Sequence, residues 1–164
     1  MTKKTSGFNL DELKQRYKKL QEKHNLPSFE ELNREFYAEK IADSETDFLF
    51  RELRKFIADK FYNYMRFIET ILNPVNAPIF IFSVIKSVTP EQKKRLGEIY
   101  DRLSEVYLEV IKLDVDSSEK KDADFVKNAY NSWLGVKQEL MAILEKLKNT
   151  NGRGDESSNN KYFG

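Results

Sequence analysis

Residues 46–72 read TDFLFRELRKFIADKFYNYMRFIETIL, and the spacing of their apolar side chains decides the fold class. Phe50, Leu53, Ile57, Phe61, Tyr64, Ile68 and Ile71 recur at steps of three and four, the period of one helical face. Leu49, Phe56 and Phe67 widen that stripe on one flank, and Met65 and Leu72 widen it on the other. With successive residues about 100° apart, the apolar sector exceeds half the circumference, so neighbours must surround this helix. It is read as the central one. Ser44 with Asp47 marks its start, and Asn73-Pro74 ends it, because the residue before proline is pushed out of the helical region.

Working outward, the same period recurs on both sides. Downstream, Thr89-Pro90-Glu91-Gln92 combines a capping threonine, a proline at the first helical position and a glutamine at the third. It opens the stripe Leu96, Ile99, Leu103, Val106, Val110, Leu113. Asp116-Ser117-Ser118 precedes a third long stripe: Val126, Ala129, Trp133, Val136, Leu140, Ile143, Leu147. Between the first two long helices, the apolar run Ile79–Lys86 has no strand to pair with and is read as a short buried helix. Upstream, Asn9 with Glu12 opens Leu10, Leu13, Tyr17, Leu20, while Ser28 with Glu31 forms a capping box for Phe29, Leu32, Phe36. The prediction is an all-α antiparallel helical bundle with three long helices, a short apolar connecting helix and short N-terminal helices. Residues 1–8 are read as a flexible N-terminus, 9–149 as a single helical-bundle domain and 150–164 as a disordered tail.

Composition removes several function classes. The 164 residues contain no Cys and one His, which excludes thiol catalysis, disulfides and Cys-ligated metals within the chain. No catalytic residue, metal ligand or cofactor site is assigned, and an enzyme is the less favoured class. His24 lies where the first helix should end, a position the helix dipole favours for a cation. Asp114, Asp116 and Glu119 are read as turn and cap residues. Lys93-Lys94-Arg95 is read as a solvated patch, and Arg153-Gly154-Asp155 as a coincidence of composition. Gly97 and Gly135 fall inside helices and are expected to permit a close crossing, with Trp133-Leu134-Gly135 against Gly97.

Charge is balanced overall, with 28 Lys and Arg against 27 Asp and Glu, but it is unevenly distributed. Residues 1–23 carry net +4 and residues 29–50 net −5, which predicts that the first helix docks on the next segment. A basic arm docking on an acidic partner is the alternative. Arg51, Lys55, Tyr62 and Arg66 project from the outward face of the central helix, among Asp59 and Glu69 and beside Phe48. They are the candidate interaction face, unless Tyr62 packs under the N-terminal helices.

Leu26–Leu32, Asp47–Glu52, Asn73–Pro78 and Tyr130–Trp133 together resemble small all-helical archaeal proteins of unknown function, over about residues 26–147. That resemblance implies a cytoplasmic helical protein and supplies no activity. The expected function is a non-catalytic protein-interaction or adaptor module with an unknown protein partner, nucleic-acid binding through the basic and aromatic face being the alternative. A hydrophobic-ligand binder with a pocket beneath Ile79–Ile85, or an enzyme whose site is shared between chains, comes third. No membrane span is expected, and a homo-oligomer is a further option.

Overall fold

The structure is a computed structural model that describes residues 9–44 and 47–151. These form six α-helices, α1 (Leu10–His24), α2 (Phe29–Phe36), α3 (Leu49–Leu72), α4 (Ile79–Ser87), α5 (Pro90–Val115) and α6 (Glu119–Asn151). Two 3-10 turns, Ala38–Asp43 and Pro74–Asn76, complete them, and no strand occurs among the described residues. The protein is an all-α helical bundle. No described helix is long and apolar enough to cross a membrane.

The start signals act as their chemistry requires. The Ser28 hydroxyl accepts from the Glu31 amide at 3.2 Å, and the Glu31 carboxylate accepts from the Ser28 amide at 2.8 Å, closing a reciprocal box. Thr89 and Gln92 repeat it at 3.2 and 2.8 Å. Asn9 caps α1 by accepting from the Asp11 amide at 3.3 Å, with no returning bond from Glu12 among the described residues. Asn25 and Tyr37 end α1 and α2 in the left-handed region, at φ of 53° and 56°.

The chain gathers into two compact units, and all three long helices contribute to each. Unit 1 holds the described residues up to Tyr62 together with Glu105–Ser132. Its core joins Tyr17 of α1, Leu32 and Phe36 of α2, Ile57 and Phe61 of α3, and Phe125 and Val126 of α6. Tyr17 meets Phe29 edge-on at 5.7 Å between centroids, and its hydroxyl donates to the Pro27 carbonyl at 2.5 Å. Burial raises the Tyr17 phenol pKa, which keeps that donor in place. In unit 1 Arg54 lies against Asp114 and Tyr62 against Tyr107, so α3 and α5 run antiparallel. Unit 2, Asn63–Ser104 with the described residues from Trp133, packs Ile68 and Ile71 with Leu96, Ile99, Leu103, Val136 and Leu140. Tyr64 leans on Trp133 there at 5.1 Å.

Four expectations need correction. The connecting helix α4 forms but is not buried: Ile79 is 89% exposed and Phe82 is exposed as well. Its apolar sequence follows the helical period only weakly, so burying one face leaves apolar groups on the other. Gly97 and Gly135 permit no close crossing, since a Cβ at either would meet nothing within 4 Å. The helix expected from about Thr46 begins at Leu49, so Phe48 precedes it rather than sharing its outward face. Finally, α6 runs on to Asn151, two residues into the predicted tail. The N-terminal segment 1–8, residues 152–164 and the Arg153-Gly154-Asp155 tripeptide lie outside the described residues.

Candidate functional site

Unit 1 carries an open cleft of about 1140 Å³. The start of α3 lines it with Arg51, Lys55, Ala58 and Asp59, at the three- and four-residue steps of one helical face. Arg16, Lys19 and Leu20 of α1 line it from a second element, and Tyr107, Ile111 and Asp114 of α5 from a third. Two of its apolar lining side chains are exposed to solvent: Phe48 is 68% exposed and Ile111 is 48% exposed. Isolated exposed apolar groups are ordinary; here an aromatic and an aliphatic one line the same concavity.

Arg54 is the unexpected member. It is 4% exposed on α3, within the apolar sector, one helical turn before the buried Ala58. Its Nη1 lies 3.2 Å from Asp122 Oδ1 and its Nη2 lies 3.4 Å from Asp114 Oδ1. Arg54 Nε and Nη1 and Asp122 Oδ1 nevertheless lack a hydrogen-bond partner among the described residues, so the charges are close without ideal alignment. Burial raises the Asp122 carboxyl pKa; Arg54 pulls it down and Asp114 adds to the rise, with burial the largest effect.

At the α1 end of the cleft, Glu119 opens α6 and accepts from Lys23 at 2.7 Å and from His24 Nε2 at 2.8 Å. Hydrogen bonds from Lys23 and then His24 hold the Glu119 carboxyl below its ordinary range. The His24 ring also meets Phe50 edge-on at 6.1 Å. His24 is therefore the last residue of α1, as its position implied, and is tied to Glu119 and Phe50. The acidic cluster at the α5–α6 turn is divided among cations: Asp114 faces Arg54, Asp116 pairs with Lys121, and Glu119 faces α1. Ser118 caps α6 by accepting from the Lys121 amide at 3.3 Å. Among the described residues no group of three or more His, Asp or Glu could hold a metal ion.

Of the predicted face, the structure brings Arg51 and Lys55 into the cleft, with Lys55 paired to Glu52 at 2.7 Å. Tyr62 stacks on Tyr107 of α5 at 5.8 Å. Arg66 belongs to unit 2. The predicted docking of the basic first helix on the acidic segment is realised in Lys14–Glu30 and Arg16–Asp47, both at 3.7 Å. Comparison with known protein families, curated proteins and solved structures returned no match to this chain.

Proposed function

We propose that the protein is a non-catalytic, cytoplasmic interaction module that docks a protein partner in the cleft of unit 1. The observation that carries this reading is the exposure of Phe48 and Ile111 on one concavity whose deeper charges are already committed to internal ion pairs. A cleft so arranged offers apolar anchoring and leaves few acidic or basic groups free for proton transfer.

Affinity purification of the tagged full-length chain from its native cell, with and without nuclease, tests it. A specific protein should be retained by the wild type, persist after nuclease and be lost from the Phe48→Asp/Ile111→Asp variant. Retention that nuclease abolishes, or that both substitutions leave unchanged, would overturn the reading. The nuclease arm also decides the nucleic-acid alternative through Arg51, Lys55, Tyr62 and Arg66.

A further inference from the structure

Building on the docking role of this cleft, we infer that its occupant is a single amphipathic helix whose apolar stripe is flanked by acidic side chains. Length comes first. The α3 residues lining the cleft run from Leu49 to Asp59, which at ~1.5 Å per residue is roughly 16 Å, or three helical turns. A cleft of that length, lined from two further helices and by the exposed Phe48 and Ile111, is long enough for the i, i+3/i+4 and i+7 anchors of one helix laid in a groove.

Charge then selects the chemistry of the occupant. Arg16 faces Asp47, Arg54 faces Asp114 and Asp122, and Lys55 faces Glu52. Among the lining cations this leaves Lys19 and Arg51, which have no carboxylate partner among the described residues. Among the lining carboxylates only Asp59 is similarly uncommitted within the described residues. Acidic side chains on an incoming helix would pair with Lys19 and with the planar fork of Arg51, whereas basic ones would meet two like charges. A nucleic-acid backbone fits less well, because the cleft holds as many carboxylates as cations.

The test titrates the intact protein with fluorescent, stapled helical peptides of about 14 residues carrying a leucine stripe. Glutamate flanks the stripe in one peptide, glutamine in a second and lysine in a third. The glutamate peptide should bind about tenfold tighter than the lysine peptide, and Lys19→Glu/Arg51→Glu should reverse that order. Circular dichroism on each variant separates lost binding from lost folding. Equal binding of all three peptides, or a preference that the double reversal leaves in place, would sink the acidic assignment. If Ile111→Asp abolishes that equal binding, apolar docking in the cleft still stands. No binding at about 1 mM peptide rejects the helical occupant, while the purification above judges the docking role separately. Tighter binding of a single-stranded oligonucleotide, or concentration-dependent self-association weakened by Ile111→Asp, would replace the inferred occupant with nucleic acid or with a second copy.

Discussion

Arg54 is the residue at which local pattern and tertiary context part company. A buried guanidinium needs its carboxylates, and Asp122, itself 8% exposed, would be left without a cation if Arg54 were removed. Arg54→Met is expected to lower unfolding stability by roughly 3 kcal/mol, because a desolvated carboxylate is costly when unpaired. Arg54→Met/Asp122→Leu should recover most of that loss, since an apolar pair removes both desolvation terms. Urea unfolding of the two single variants and the double variant measures the coupling. A double variant as unstable as the sum of its singles would refute it. In the sequence, position 54 lies four residues before Ala58 and seven before Phe61, within the apolar sector, which was the available sign of burial. Its acidic partners, 60 or more positions away, left no local trace.

At the scale of elements, helix starts were readable because capping is a short-range exchange of hydrogen bonds. Ser28 with Glu31 and Thr89 with Gln92 close as their spacing predicts. Helix packing was less readable. Glycine within a helix is ambiguous between a close crossing and mere tolerance, and the open space around Gly97 and Gly135 decides for tolerance. Gly97→Ala and Gly135→Ala should therefore each raise stability by about 0.5–1 kcal/mol, through helix propensity and a less mobile unfolded chain. Thermal and urea unfolding will show it, and a loss of stability in either variant would restore the crossing. The short helix α4 teaches the converse: an apolar composition identified a helix but could not tell how much of it finds a neighbour. Ile79 and Phe82 remain in solvent.

For the whole molecule, acid stability follows from a few carboxylates of opposite sign. Hydrogen bonds from the Ser28 amide and hydroxyl lower the Glu31 pKa, and those from Lys23 and His24 lower that of Glu119, both from 4.5. Their contributions are present above the unfolded value and vanish as pH falls through the folded one. Asp122, raised from 3.8, acts oppositely, because acid relieves its burial. The wild type should lose stability between about pH 6 and about pH 3, and Glu119→Gln should show a shallower loss over that interval. Denaturant midpoints across this range test the sign; a steeper loss in Glu119→Gln would contradict it. The sequence by itself determined the helical class, the long helices and several of their caps, because periodicity and capping involve residues within a few positions of one another. It also placed Arg51 and Lys55 on the outward face that lines the cleft. Only the tertiary structure added Lys19 and Ile111 to that cleft, buried Arg54 between Asp114 and Asp122, and paired His24 with Glu119. Those arrangements depend on which faces of distant segments meet, a choice made by packing among helices rather than by any one stretch of chain.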